Sequence, residues 1–506
     1  MTNWLLRRLH RPFRTPKVVC KRTIYTINMT TTSHSRPGST LPPIRLDPSI
    51  RSQALRVHNG LRAAIVDGLL VPGSRLPSSR ELAAQLGIGR NMIVAAYEHL
   101  MSDGLIEARH GSGTYVSASL PPPPSTVTAP DIPLTFGQQR PFALGQTHVE
   151  PAFLARLAAA TRRHIAKASP ADLAYGDPRG SLHLRRQIAD FLAVNRGIRC
   201  DPDRVVVVSG TQHGLRLCAD ALLAPRDPVW VEDPGYGTSL ATLTAVGVRL
   251  VPVPVDSAGL DVAASIAQEP RAKAVYVTPS HQFPTGVRMA MERRVALIDW
   301  AEATGAWIFE DDYDSEFRYS GPPLTALAGL SSGRVIYLGT FAKTLFPGLR
   351  LGYLVAPPAV LAPVLKARAT FDRFMPVFIQ NAVADLMADG TIAAHLRANL
   401  RRYRADRDMV AEVIATMSAG VLRPDIPDHG LHMIAWLREN LPPTLAHAIR
   451  REAGVETMLF SERRMRPGTA EGFVLGFSGH ETRALRSAAT ALATTARRLA
   501  GAGDHF

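Results

Sequence analysis

The fold of this chain is decided by the stretch Arg334-Val335-Ile336-Tyr337-Leu338-Gly339-Thr340-Phe341-Ala342-Lys343. Its apolar, β-branched first half predicts a buried strand, and small polar residues and a lysine follow at once. Lys343 is one of only six lysines among 58 basic residues, so the chain otherwise uses arginine for lasting positive charge. A lysine in such a background indicates an amine that has to lose its proton, and Schiff-base chemistry is the main use of such an amine.

Apolar, β-branched runs of this kind alternate with helical stretches through most of the chain. From about residue 141 it predicts an α/β fold, with a mainly parallel sheet covered by helices on both faces. Residues from about 370 onward predict a smaller C-terminal lobe. The predicted strands are 204–208, 228–231, 249–255, 274–278, 306–309, 334–338 and 351–355.

A different pattern over residues 42–117 predicts a winged helix-turn-helix. The first helix has apolar residues at helical spacing, Val57, Leu61, Ile65 and Leu69. Ser78 with Glu81 predicts a capping box for the second helix, and a third helix runs from Arg90 to about Ser102, burying Ile93, Ala96, Tyr97 and Leu100. Two short β-type runs, 105–108 and 114–116, enclose a glycine-rich tip.

Composition bounds the class of protein. A chain of 506 residues predicts two or three domains, and no apolar run approaches the ~20 residues of a membrane span. The cysteines Cys20, Cys200 and Cys218 lack disulfide or ligand spacing, which indicates a reducing compartment and predicts no metal site. Residues 1–41 predict a disordered basic leader, and the proline-rich segment 118–140 predicts a linker before the domain at 141–506.

Positive charge is concentrated near the N-terminus. Residues 1–120 contain 16 Lys/Arg against 6 Asp/Glu, which favours a phosphate-binding head. The alternative is that the leader alone accounts for the excess, because residues 1–40 hold eight basic residues and no acidic ones.

The third helix of the winged helix begins with Arg90 and Asn91, residue types that pair with guanine and adenine in the major groove. Arg80 suits a phosphate or base contact, and the tip Gly111-Ser112-Gly113 has almost no side chains to keep it from the DNA backbone. The alternative is a winged helix that binds protein instead of DNA.

Polar segments follow several predicted strands, at the edge where open parallel sheets bind ligands. Together they supply what pyridoxal 5′-phosphate (PLP) requires. Lys343 would form the imine, Asp311 would keep the ring nitrogen protonated, and Tyr313 would contact the ring oxygen. Tyr236 would stack on the ring face.

The phosphate of that cofactor would lie at a helix N-terminus. Gly210-Thr211-Gln212 opens a predicted helix directly after a strand, where free amide groups attract anions. Thr340 and Arg350 would add a hydroxyl and a fork of donors.

The N-terminal motifs resemble the winged helix of the GntR family. Leu76-Pro77-Ser78-Ser79-Arg80-Glu81-Leu82-Ala83, residues 89–91 and residues 110–116 occur in order at the expected distances. The resemblance implies DNA contacts by Arg80, Arg90, Asn91 and the wing residues Gly111, Ser112 and Gly113.

The remainder resembles the fold-type I aminotransferases, and the joint architecture resembles the MocR/GabR group of GntR regulators. The segments 278–286 and 309–317 are distinctive of that group. The resemblance implies the imine at Lys343 and the ring contacts of Asp311 and Tyr313. It also implies phosphate contacts from Thr211, Thr340 and Arg350. Tyr175 resembles the tyrosine that reaches the phosphate of a neighbouring subunit, which implies a homodimer.

Two departures from ordinary aminotransferases put efficient transamination in doubt. Phe283 stands where they have an asparagine that touches the ring oxygen, and Val474 stands where they tend to have an arginine for the substrate carboxylate. The alternative is that Arg464, Arg466 or another arginine substitutes for it.

We therefore expect a cytoplasmic, nucleoid-associated transcriptional regulator that binds double-stranded operator DNA. Its effector would be PLP or a PLP-linked amino compound, and within the group it looks most like the regulators of PLP synthesis. One alternative is an active PLP-dependent aminotransferase with an accessory DNA-binding domain. Another is a cofactor-free relic in which the winged helix alone matters.

Overall fold

The structure, a computed structural model, describes residues 44–119, 140–331 and 333–503. The chain falls into two compact units that divide between Thr135 and Phe136. The predicted leader at 1–41 and nearly all of the predicted linker at 118–140 lie outside the described residues.

The N-terminal unit has the helices and hairpin of a winged helix-turn-helix. The Ser78 hydroxyl accepts the Glu81 N–H at 3.3 Å and the Ser78 N–H donates to the Glu81 carboxylate at 2.8 Å, so the capping box is confirmed. Gly87 ends that helix in the left-handed region, with φ 64°. The elements are α1 (Gln53–Val66), α2 (Ser79–Leu86), α3 (Arg90–Ser102), β1 (Ile106–Arg109) and β2 (Gly113–Val116).

The three helices enclose one apolar core, and the hairpin closes it through Ile106 and Val116. The four residues predicted to be buried on α3 are all buried: Ile93, Ala96, Tyr97 and Leu100. The prediction that Leu69 continues the apolar face of the first helix is wrong. Because α1 ends at Val66, Leu69 lies in the following turn and is 61% exposed, while Leu70 is buried.

The C-terminal unit is built on an eight-stranded sheet with strand order β3-β10-β9-β8-β7-β4-β5-β6. Alternate residues of the all-valine strand β3 pack into separate cores, Val205 and Val207 on one face and Val206 and Val208 on the other. Both faces are therefore covered by helices, as predicted. The strands are β3 (Val205–Val208), β4 (Pro228–Asp233), β5 (Arg249–Asp256), β6 (Gly259–Leu260), β7 (Ala274–Val277), β8 (Trp307–Asp312), β9 (Val335–Thr340) and β10 (Gly352–Val355).

The sheet is mixed. Strands β5, β4, β7, β8 and β9 are parallel in that spatial order, whereas β10 is antiparallel to both β3 and β9. The carboxyl ends of β4, β7, β8 and β9 therefore meet at one edge, where a ligand site is expected. The helices of this part are α4 (Pro151–Ala166), α5 (Leu182–Asn195), α6 (Thr211–Leu222), α7 (Gly237–Val246), α8 (Val262–Gln268), α9 (Met291–Thr304), α10 (Leu327–Leu330), α11 (Pro358–Phe371) and α12 (Val377–Ala388).

The predicted smaller lobe contains a four-stranded antiparallel sheet with order β11-β12-β14-β13. Long helices cover it, and Phe473 and Leu475 of its central strand pack against them. Its elements are α13 (Thr391–Met417), β11 (Leu422–Asp425), β12 (His432–Leu437), α14 (Thr444–Ala453), β13 (Met458–Leu459), β14 (Gly472–Gly476) and α15 (Thr482–Gly503). Within the described ranges, no helix is both long and apolar enough to cross a membrane.

Candidate functional site

Two of the three neighbouring acids at the end of β8 are bonded to the surrounding scaffold. The carboxylate of Glu310 accepts the first two backbone N–H groups of α10 at 2.8 and 2.9 Å. Asp312 pairs with the Arg196 guanidinium at 2.7 Å and accepts the Tyr337 hydroxyl at 2.6 Å. Strand β8 extends through the acids to Asp312 instead of ending at residue 309 as predicted, and Tyr337 of the neighbouring strand β9 bonds to the last of them.

The third acid, Asp311, keeps one oxygen free. Its Oδ2 accepts the Tyr276 hydroxyl at 2.6 Å, and its buried Oδ1 has no partner among the described residues. Burial raises the pKa of Asp311 to about 7, although the Tyr276 hydrogen bond opposes the rise. A protonated ring nitrogen is the kind of group that satisfies both the free oxygen and the charge.

A hydrogen-bonded chain joins Asp311 to α6. The Gln212 amide donates to Ser239 at 2.8 Å, Ser239 donates to the Tyr276 hydroxyl at 2.8 Å, and Tyr276 donates to Asp311. Sequence reasoning missed Tyr276 and Ser239. No spacing in the sequence could have found them, because the contact depends on β7 lying beside β8.

Lys343 lies in the loop after β9 and is half-buried. Burial lowers the pKa of its amine, and the carboxyl groups of Asp314 and Asp311 oppose that change. Gly145, at φ 78°, approaches so closely that a Cβ there would overlap the Lys343 Nζ. Burial thus makes the unprotonated, nucleophilic form of the amine more accessible than in a solvent-exposed lysine.

The predicted phosphate end lies where α6 begins. Gly210, at φ 107°, precedes Thr211 without a side-chain cap, so the first amides of the helix remain available for an anion. The Arg350 guanidinium points to the same place, 4.0 Å from where a Cβ on Gly210 would lie. Thr340 is buried at the end of β9, and its hydroxyl accepts the Ala342 N–H at 3.0 Å.

The predicted ring contacts have mixed environments. The Tyr313 hydroxyl donates to the His281 carbonyl oxygen at 3.1 Å and lies 3.4 Å from the His281 Nδ1. Tyr236 meets the edge of Phe283, with ring centres 5.3 Å apart. Phe283 thus packs against the predicted stacking residue.

Val474 is fully buried in an apolar cluster with Ile434 and Phe460. Arg466 pairs with Asp233 at 3.3 Å. Arg464 lies over the Phe460 ring at 4.7 Å, and one of its buried nitrogens has no partner among the described residues. Arg466 is thus already paired, whereas Arg464 keeps a buried nitrogen for another partner.

Tyr175 contacts none of the other residues predicted to bind the cofactor. Its ring is 79% exposed and meets the edge of Phe374, while the Arg373 guanidinium lies 5.3 Å from its centre. An exposed tyrosine suits a residue that would act on another subunit.

The DNA-contact candidates are all exposed on the winged helix. Arg80, Arg90 and Asn91 face solvent, and the Arg90 Nε donates to the Ser79 hydroxyl at 3.4 Å. The wing tip turns through positive φ at Gly111 (70°) and Gly113 (118°), and Ser112 hydrogen-bonds the Tyr115 hydroxyl at 2.7 Å.

The net positive charge of the winged helix is lower than the count over residues 1–120 suggested. Residues 44–119 hold eight Lys/Arg against six Asp/Glu, so most of the excess belongs to residues outside the described part. The charge alone therefore does not mark the winged helix as a phosphate-binding head.

Comparison with known families assigns the two units separately. Residues 53–116 match the model of bacterial regulatory proteins of the gntR family. Residues 143–468 match the model of aminotransferase class I and II.

Relatives with both units match over most of their length. The chain is 34% identical to the probable rhizopine catabolism regulatory protein MocR of Rhizobium meliloti, covering 86% of this chain and 92% of that protein. It is 32% identical to the HTH-type pyridoxine biosynthesis transcriptional regulator PdxR of Corynebacterium glutamicum, covering 88% and 96%.

Among solved structures, an archaeal alanine:glyoxylate aminotransferase matches with a TM-score of 0.65 and 25% identity, over 72% of this chain and 92% of that one. The predicted fold class is thereby confirmed. The chain belongs to the MocR group of GntR-family transcriptional regulators, in which a winged helix-turn-helix precedes an aminotransferase class I and II domain.

Proposed function

We propose that this regulator binds PLP covalently at Lys343 and that the state of this site controls operator binding. One observation carries the proposal: Asp311 alone among three adjacent acids has a buried oxygen without a partner among the described residues, and it lies within electrostatic reach of the half-buried Lys343 amine. PLP, when bound, supplies an aldehyde for amines and a ring that withdraws electrons.

Different residues bind the ring, the aldehyde and the phosphate of PLP. Asp311, oriented by Tyr276, accepts the ring N–H, and Lys343 supplies an amine whose pKa is lowered by burial. The first amides of α6, with Thr340 and Arg350, hold the phosphate at the other end. Tyr313 contacts the ring oxygen and Tyr236 stacks on the ring.

The effector is PLP itself or an amino compound that reacts with it. The apolar packing of Val474 favours a ligand without an α-carboxylate at that position, because a carboxylate there would lose its water without gaining a charged partner. At the other end of the chain, Arg90 and Asn91 read bases, while Arg80 and the wing contact the DNA backbone.

The cofactor is tested by absorption and by chemical trapping. Purified protein is expected to show the visible band of lysine-linked PLP, and borohydride should fix the cofactor on the peptide that contains Lys343. Lys343→Ala should abolish both signals, whereas Lys273→Ala, on a different surface loop, should keep them. A colourless parent protein that stays colourless with added PLP would refute the proposal.

Control of DNA binding is tested on the same proteins. PLP should change the operator affinity of the parent at least severalfold and leave Lys343→Ala unaffected, while the affinity of both without PLP stays equal. Equal responses of the two proteins to PLP would exclude this site as the sensor.

We also propose a homodimer in which Tyr175 completes the partner's phosphate site. In mixed dimers of Lys343→Ala with Tyr175→Phe chains, the intact Lys343 then meets an intact Tyr175 and binds PLP with the parent's affinity. Weakened binding there would place Tyr175 in its own chain's site.

The second candidate is an active aminotransferase, favoured by the match of residues 143–468 to that family. Sustained turnover of an amino donor with a keto acid would establish it. A single, stoichiometric change of the absorption spectrum without turnover favours the regulator.

A further inference from the structure

Behind Tyr313 lies a group of buried titratable side chains that the proposed function does not use. We call His281, Asp314, His429 and His432 the histidine cluster. They come from three separate segments: the loop after β7, the residues after β8, and the start of β12 with the loop before it. One nitrogen or oxygen from each of His281, Asp314 and His432 lies within 4.8 Å of the others, and all three side chains are buried.

The hydrogen bonds of this cluster leave lone pairs without partners. The Pro284 carbonyl can only accept, so His432 donates its Nε2–H to it, at 3.1 Å, and its Nδ1 keeps a lone pair. His281 directs its Nδ1 to the Asp314 carboxyl at 2.8 Å. Its buried Nε2, and both buried nitrogens of His429, have no partner among the described residues.

This bonding pattern is typical of metal ligands. A histidine that binds a metal nearly always donates its other ring N–H to a carboxylate or a backbone carbonyl, which fixes the tautomer and points the lone pair at the ion. His281 and His432 have one partner of each kind. Three buried ring nitrogens without a protein partner need an ion or water molecules to satisfy them.

The spacing of the rings agrees with a shared ion. The His281 ring centre lies 4.8 Å from that of His432 and 4.6 Å from that of His429. Two imidazoles on one tetrahedral Zn²⁺, with Zn–N bonds of about 2.0–2.1 Å, have centres about 5.2 Å apart, so these rings need to move by only about half an ångström.

The backbone around the cluster makes room for it. Gly430 has φ 84°, and a Cβ there would overlap the His281 ring; Gly286 has φ 75°, and its Cβ would lie 3.3 Å from the His281 Nε2. A cavity of about 150 Å³ lies beside the cluster and is lined by residues that include Gly286 and His432.

We propose that His281 and His432 bind a divalent transition-metal ion, with Zn²⁺ the best match to paired imidazoles, with Asp314 accepting the other ring N–H of His281 and with His429 as an adjacent nitrogen donor. The sequence predicted no metal site because His281, Asp314 and His432 are 33 and 118 residues apart and have no recognisable spacing. The proposal goes beyond the cofactor site and does not depend on it.

The test uses the full chain, stripped with a chelator, loaded with Zn²⁺ and passed through a gel-filtration column. We expect about one Zn²⁺ per chain by elemental analysis, and an X-ray absorption spectrum with at least two imidazole ligands. His432→Gln and Asp314→Asn should weaken Zn²⁺ binding about 10- to 100-fold. His395→Gln, which changes an equally buried histidine outside the cluster, should bind as the parent does.

Asp314→Asn keeps the size of the side chain, so it tests the site even if a histidine variant fails to fold. Substoichiometric Zn²⁺ in the parent, a spectrum without imidazole ligands, or equal affinity in Asp314→Asn and parent would each overturn the proposal. PLP absorption is measured in parallel, and its presence or absence does not bear on these outcomes.

Discussion

Tyr276→Phe tests whether the chain of hydrogen bonds behind Asp311 serves the cofactor. The substitution removes one buried hydroxyl, which donates to Asp311 at 2.6 Å, and keeps the ring in the sheet. Tyr337→Phe is a matched control, because Tyr337 is an equally buried strand tyrosine that donates to Asp312 at 2.6 Å. The two variants lose the same kind of bond to successive acids of one strand.

The expected change in PLP affinity is the difference between two hydrogen-bond energies. Without cofactor, the raised pKa of Asp311, about 7, leaves much of the acid protonated, and a neutral hydrogen bond contributes about 0.5–1.5 kcal/mol. With a ring N–H bound, the acid is a carboxylate, and the same bond contributes about 1.5–3 kcal/mol. The difference of about 1–1.5 kcal/mol lowers affinity about five- to tenfold in Tyr276→Phe.

The free energy of unfolding is expected to fall more in Tyr337→Phe than in Tyr276→Phe. Asp312 is paired with Arg196 at 2.7 Å, so Tyr337→Phe removes a charge-assisted bond already present without cofactor. It should cost about 1.5–3 kcal/mol of unfolding free energy and leave PLP affinity unchanged. Titration of stripped protein with PLP and urea unfolding measure the two quantities. Equal PLP affinity for Tyr276→Phe and Tyr337→Phe would refute the assignment of Asp311.

Three further changes test other parts of the structure. Arg90→Ala should lower operator affinity by about 1–3 kcal/mol and nonspecific affinity by less; equal losses in gel shifts on matched and scrambled DNA would contradict base reading. Gly145→Ala should prevent covalent PLP binding, because its Cβ would overlap the Lys343 Nζ and φ is 78°; a parent-like absorption spectrum would exclude the close approach. Burial raises the pKa of Glu310 to about 7, above its usual value, so its contribution to stability is present at low pH and is lost as pH rises through about 7. The urea midpoint of stripped Glu310→Gln should therefore fall less between about pH 5 and pH 8 than that of the parent, and equal falls would count against a raised pKa in the fold.

The alternation of strands and helices in the aminotransferase class I and II domain could be predicted because it depends on residues that are neighbours in the sequence. Continuous apolar runs such as β3 indicate strands buried on both faces, and the structure has Val205–Val208 covered on both sides. The direction of a strand is not local. The residues at 351–355 do not indicate by their types that the strand is antiparallel. Its direction becomes visible only in its pairing with β3 and β9.

The site could be predicted in part for the same reason. Three adjacent acids are visible in the sequence, but which one is free depends on partners contributed by other strands and helices. Arg196 and Tyr337 occupy Asp312, and α10 occupies Glu310. The residue singled out by resemblance, Asp311, is the one that these contacts leave available.

The low charge of the winged helix bears on how such a regulator could be switched. A head with eight basic and six acidic residues gains little from phosphate attraction alone, since that attraction grows with the number of charges that contact DNA. In the proposed dimer, useful affinity then requires both heads to bind at once, because the second contact benefits from the high effective concentration that the first creates. This gain is lost when the geometry of the heads does not match the spacing of the half-sites. A ligand at Lys343 therefore needs to favour only one of two arrangements of the dimer by a few kcal/mol to turn operator binding on or off.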